Sequence, residues 1–195
     1  KKELFGTDQF IVHTAEITRP NKAKDQKSLK FNNTDFRKKF YNEVDKIISE
    51  SNYEIIACAI HKDKLASKDN PLPNDPYITS FNSILERLME LKQDNQFSIY
   101  PEKRGHNEDT KLELAFLRAK VVGTGRHKGA TVSEKIKLFE LVSKEQNMSG
   151  SQFADMIATP IGRYKMRKSK KPEGNELNID SILAKIKPGN YIIQP

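Results

Sequence analysis

Short β-like runs alternate with amphipathic helical stretches along the chain, and strands interleaved with helices pack as α/β layers. Phe10-Ile11-Val12-His13 is brief and β-like, and the polar stretch from Arg19 to Lys30, with five basic residues, reads as a mobile loop. Thr34 can cap a helix, Asp35 suits its first turn, and Phe36, Phe40, Val44, Ile47 and Ile48 recur at helical spacing. Tyr53 to Ile60 is almost continuously apolar, the pattern of a strand buried on both faces. Residues 62 to 76 carry three prolines and read as a loop, after which Ile78, Phe81, Ile84, Leu85, Leu88 and Leu91 mark a long helix. Leu112 and Leu114 to Leu117 belong to a further helix, broken by Gly123-Thr124-Gly125-Arg126-His127-Lys128-Gly129. Lys135 to Val142 is strand-like through Ile136 and Leu138, and a helix around Asp155 comes last.

Two of these segments carry carboxylates in suggestive places. In Ser149 to Arg163, a helical wheel puts Phe153, Met156, Ile157, Ile161 and Tyr164 on one side. Ser151, Asp155, Ala158, Thr159 and Gly162 fall on the other, a side of small residues with one ionised group. A close-packed face with an incidental exposed Asp155 is the competing account. The alternating run Gln96 to Glu102 places Glu102 at the end of a strand, followed by a turn at Lys103-Arg104-Gly105-His106. Asn107 can cap the next helix, where Glu108 and Asp109 suit the positive end of the helix dipole.

The order Glu102-x-Arg104-Gly105-x-x-Glu108-Asp109, then Gly150-x-Gln152-x-Ala154-Asp155-x-x-Ala158-x-Pro160-Ile161, resembles the bacterial family catalogued as domain of unknown function 3800. Val12 to Ile17, with His13 and Glu16, Asp75-Pro76-Tyr77 and Leu85-Glu86-Arg87 are similar to further family segments, so the likeness runs from about residue 5 to 168. The resemblance implies an α/β, RNase H-like mixed sheet flanked by helices over residues 1–168, with 169–195 as a basic C-terminal extension. Family members usually open on an Asp-Glu-Ser-Gly strand, which this sequence lacks, so the resemblance reads the chain as N-terminally truncated.

Charge narrows the partner classes. In 195 residues, 34 Lys and Arg stand against 26 Asp and Glu, a net +8 that favours polyanions such as DNA or RNA. The single cysteine, Cys58, sits in the apolar run Ile55 to Ile60, which excludes an intrachain disulfide and suits a reducing cytoplasm. No run approaches the roughly 20 apolar residues of a membrane helix. The glycine loop at 123–129 lacks the Gly-Lys-Ser/Thr ending of a phosphate-binding loop and reads as a surface loop. His13, His61, His106 and His127 show no metal-ligand spacing, although His13 and Glu16 match a family segment that can adjoin the site.

The expected function is a metal-dependent nuclease, of a kind found in mobile-element or phage-defence settings. Hard Mg²⁺ or Mn²⁺ ions take oxygen ligands, and the resemblance assigns that role to Glu102 and Asp155, with Glu108 and Asp109 as further candidates. Arg104 and Lys103 would hold the phosphate and His106 would assist proton transfer. Arg163, Lys165, Arg167, Lys168, Lys170 and Lys171 would follow the backbone or form a solvated tail. The alternative function is a non-catalytic nucleic-acid-binding or partner-docking module.

Overall fold

A computed structural model of the chain describes residues 1–22, 25–61, 75–91, 95–165 and 176–194. In chain order the helices are α1 (Lys2–Phe5), α2 (Thr14–Thr18), α3 (Thr34–Glu50), α4 (Pro76–Glu90), α5 (His106–Val121), α6 (Gly129–Lys135), α7 (Ser149–Lys165) and α8 (Ile179–Leu183). The strands are β1 (Ala57–Ile60), β2 (Phe97–Ile99), β3 (Ile136–Phe139) and β4 (Tyr191–Gln194). Two compact units result, Lys1–Ile55 with Lys144–Ile186, and Ile56–Ser143 with Lys187–Pro195.

The first unit is helical, and its core is aromatic. Phe5, on α1, stacks on Phe10 at 4.0 Å and meets Phe31, Phe36 and Phe40 edge-on or tilted at 5.5 to 6.2 Å. Each such pair adds about 0.5–1.5 kcal/mol beyond the area it buries. Asn33 rather than Thr34 caps α3, accepting from the Phe36 N–H at 3.0 Å, because Thr34 is already the first helical residue. Within the basic stretch 19–30, the described residues form 3-10 turns at Pro20–Lys22 and from Gln26 on, to Asn32, and buried Ser28 donates to Glu16 at 2.6 Å. Phe10 to His13 is extended but forms no ladder, since the Val12 N–H donates to the Gln152 side chain on α7 instead of to a strand. Far along the sequence, Lys185 donates to the carbonyls of Ser49 and Ser51 at 3.0 and 2.8 Å, closing the C-terminal end of α3.

The second unit holds the four strands found among the described residues, so the chain is α/β with short parallel strands in two small sheets. β1 pairs with β4 from Ala57↔Tyr191 to Ile60↔Gln194, and only this latter half of the run Tyr53 to Ile60 is a strand. Its residues are half-buried, and β4 is its one neighbour among the described strands. Beyond α7 the chain therefore still contributes α8 and β4, which hydrophobic pattern alone did not separate from a tail. Arg87 of α4 fixes the turn into β4, donating to buried Asn190 at 2.7 Å and to the Pro188 carbonyl at 3.2 Å.

β2 pairs with β3, and an extra β3 residue between Phe97↔Ile136 and Ser98↔Leu138 makes a bulge. The bulge breaks the two-residue alternation, so Ile136 is buried while Leu138 is exposed. Parallel partners need a crossover, and α5 and α6 supply it between β2 and β3. Leu85 and Met89 from α4, Ala119 from α5, Val132 from α6 and Ile136 from β3 form the core, with Phe116 stacked on Phe139 at 4.2 Å. Gly129 lets α6 start against the end of α5, where a Cβ would lie 2.5 Å from the Lys120 carbonyl oxygen.

The C-terminal end of α4 depends on one buried cation. Lys135 is 6% exposed and donates to the carbonyls of Met89 at 2.9 Å and Leu91 at 2.7 Å, the groups a helix end leaves unpaired. Lys135→Met keeps the stem's packing and strands both carbonyls, so urea denaturation is expected to show a loss of about 1–3 kcal/mol. A loss below about 0.5 kcal/mol would mean that water satisfies those carbonyls.

Candidate functional site

In the second unit, two of the segments singled out from sequence meet at one aromatic ring. Asp75 caps α4 by accepting from the Tyr77 N–H at 2.9 Å, with Pro76 preset for the first helical turn. This presents Tyr77, over whose ring the Arg104 guanidinium lies at 4.9 Å. Glu102 is half-buried beyond the end of β2, where its backbone continues the ladder as a bridge to Val142. Gly105, at φ 117°, then turns the chain into α5 and occupies the cap position expected for Asn107, so the helix begins earlier, at His106. Asp109 folds back to accept from the Arg104 N–H at 2.8 Å.

The electrostatics of this cluster are those of a compensated network. Burial pushes the Tyr77 hydroxyl above its ordinary value; Arg104 opposes the shift, and Asp109, Glu108 and Glu102 reinforce it. Burial alone would raise the Asp75 carboxyl, but bonds from the Tyr77 N–H and Lys111 outweigh it and hold it below the usual carboxylate range. Lys111 is raised by its bonds to Glu108 at 2.9 Å and Asp75 at 3.3 Å. Glu108 and Asp109 thus have local partners as well as a favourable helix dipole. Tyr77 is the member that residue-by-residue reading passed over; its signal was the Asp-Pro-Tyr start of a helix.

Asp155 belongs to the first unit. It lies on the exposed small-residue side of α7, among Ala154, Ala158 and Thr159, and accepts from the Thr14 N–H at 3.1 Å. Thr14 is the first residue of α2, so Asp155 serves from a distance as a cap, a job that His13 at the cap position does not perform through its side chain. One turn earlier, buried Gln152 accepts from the Val12 N–H at 2.9 Å and donates to Asn147 at 2.6 Å. The inner face of α7 is consequently Gln152, Met156, Pro160 and Ile161, while Tyr164, expected inside, is 53% exposed. Glu16, near His13, accepts from Ser28. Gln152 gave no signal beyond standing four residues before Met156 on the inward stripe.

The remaining candidates divide between the units. Lys103, Arg104 and His106 are exposed in the second unit. In the first, Arg163 pairs with Glu176 at 2.9 Å, and Arg167, Lys168, Lys170 and Lys171 lie outside the described residues. In the glycine loop, Gly123 and Lys128 form a tight bridge, and Arg126 pairs with Glu90 at 2.6 Å and Glu86 at 3.6 Å. The loop therefore uses its arginine to bind α4 carboxylates. An open groove of about 760 Å³ runs between α4 and α5 past Thr79, Asn82 and Glu86. In the first unit, a cavity of about 20 Å³ beside Thr14, Tyr41 and Arg163 has room for one water-sized molecule, too little for a substrate.

Among the described residues, no group of three or more His, Cys, Asp and Glu side chains is arranged to hold a metal ion. No protein-family model, curated protein or solved structure matches the chain.

The geometry of the two acceptors Gln152 and Asp155 sets what their mutation costs. Asp155→Ala removes the acceptor and is expected to cost about 1 kcal/mol in urea denaturation, whereas Asp155→Asn keeps an acceptor oxygen and costs less. Gln152→Leu leaves the buried Val12 N–H unpaired and is expected to cost about 1–3 kcal/mol. Equal, negligible effects for all three would show that the 8–14 segment is held by Phe10 and Val12 packing alone.

Proposed function

We propose that the chain is a nucleic-acid-binding module acting through the phosphate backbone. The observation that carries this reading is the charge on the elements that close over Phe5. α1, the 26–32 turn and the start of α3 enclose the aromatic cluster and expose Lys2, Lys27, Lys30, Lys38 and Lys39. Lys30 lies over the Phe5 and Phe36 rings at 5.9 and 5.8 Å, held in place without a carboxylate. The pair Lys39–Glu3 spans 3.9 Å between exposed side chains, which is too weak to neutralise the surface. Among the described residues Lys2, Lys27 and Lys38 have no carboxylate partner. A net charge of +8 supports the same class of partner. No helix among the described residues is long and apolar enough to cross a membrane.

The test is fluorescence anisotropy with mixed-sequence single-stranded and duplex oligonucleotides across a salt series. The triple variant Lys2→Gln, Lys27→Gln, Lys38→Gln is expected to flatten the log–log salt slope by about 0.9 for each duplex phosphate that a lysine no longer neutralises. An unchanged slope, or no salt-dependent binding by the parent chain, would remove this reading.

A second reading is the metal-dependent nuclease, RNase H-like in fold, that the family resemblance implies. What favours it is the pairing of motif segments inside each unit. Asp75-Pro76-Tyr77 meets Arg104 to Asp109 in one, and His13-Thr14 meets Asp155 in the other. The described residues do not gather three or more His, Cys, Asp and Glu side chains into a metal-ligand set. Incubation of nucleic acid with the protein and Mn²⁺ checks it: cleavage is expected, and Glu102→Gln and Asp155→Asn are each expected to abolish it with binding and melting temperature kept. Absent cleavage, or cleavage that survives both substitutions, would remove the nuclease reading and leave the binding one standing.

A further inference from the structure

Helix α5 is apolar on two opposite sides. Leu112 and Ala119 are buried and Phe116 packs on the core of the second unit, which accounts for one side. On the other, Leu114, Leu117 and Val121 are 60%, 57% and 74% exposed. At about 100° per residue these three form one narrow seam, and exposed Asn107 and Thr110 extend it toward the start of the helix. The positions 107, 110, 114, 117 and 121 follow the alternating three- and four-residue spacing of the a and d sites of a coiled coil.

The charges beside the seam fit the same pattern. Glu113 takes a g position and Arg118 the following e position, on opposite flanks. Both are exposed, and neither has an ion-pair or hydrogen-bond partner among the described residues. The neighbouring charges on the helix are already engaged: Lys111 by Glu108 and Asp75, and Lys120 by the Phe116 ring at 5.7 Å.

We propose that this seam joins two copies of the chain, with their α5 helices parallel and in register about a two-fold axis. In a parallel pair, a g residue of one helix meets the e residue five positions on in the other. Glu113 of each copy then meets Arg118 of the other, twice by symmetry, and the two unpaired charges of the isolated chain neutralise each other. Asn107 faces its own copy at an a site, a polar contact that fixes register at some cost in stability. An antiparallel pair that sets Leu114 against Leu117 brings Arg118 against Lys111 of the other copy and offers Glu113 only Lys120, which the Phe116 ring already holds. A single helix face buries less than the ~1,600 Å² of a standard interface, so association is in the micromolar range or weaker.

Sedimentation equilibrium of the whole chain over a series of micromolar to submillimolar concentrations tests this. A monomer–dimer equilibrium is expected, and Leu117→Glu, at an exposed position, is expected to abolish it with an unchanged far-ultraviolet circular dichroism spectrum. Glu113→Arg and Arg118→Glu place like charges across the seam and are each expected to weaken the dimer by about tenfold or more. The double variant Glu113→Arg, Arg118→Glu restores opposite charges and is expected to recover the parent affinity. These charge variants decide the matter if Leu117→Glu perturbs folding. A chain that stays monomeric throughout, a dimer indifferent to Leu117→Glu, or a double variant no tighter than the singles would overturn the proposal.

Discussion

Backbone groups that no ladder satisfies must find partners elsewhere, and in this chain long side chains meet that demand. Buried N–H and C=O groups left unpaired cost about 1–3 kcal/mol each. Among the described residues the four strands are three or four residues long and pair in twos, so little of that part of the chain is secured by sheet. Gln152 and Asp155 receive the N–H groups of Val12 and Thr14, Lys135 and Lys185 close the ends of α4 and α3, and Arg87 binds the turn into β4. These contacts join residues far apart in sequence, so each forms only once the surrounding packing has formed.

The same demand changes the meaning of the acidic residues. A carboxylate in a metal site needs free oxygens aimed at a common point, whereas a capping carboxylate spends one on a backbone donor. Asp155, Asp75 and Asp109 all accept from backbone N–H groups, of Thr14, Tyr77 and Arg104 respectively. The basic side chains are less constrained: Lys2, Lys27 and Lys38 are exposed on the elements that supply the aromatic cluster of the first unit.

The long helices were legible because apolar residues at 3.6-residue spacing and a good cap are local signals. α3, α4 and α5 lie where the spacing placed them, with the starts of α3 and α5 shifted by a residue or so as Asn33 and Gly105 took the cap positions. The turn at Gly123 to Gly129 and the segment of β3 were visible for the same local reason. Phe10 to His13 looked like a strand because Phe10 and Val12 needed burial; its missing neighbour strand is not a local property. Leu138 left the core through a bulge set by register with β2, which no alternation within β3 can announce.

Local composition by itself determined the α/β class, the positive charge, the helix-forming segments and the carboxylates at helix starts. Tertiary structure alone decided that Gln152, a polar residue, belongs inside, and that Asp155 caps α2 from 141 residues away. It also decided that Tyr77 receives Arg104 and that β4 reaches back to β1. Helix propensity, capping and charge act over a few residues, so the sequence carries them directly. Partners for extended backbone and for buried polar groups are found by packing across the whole chain.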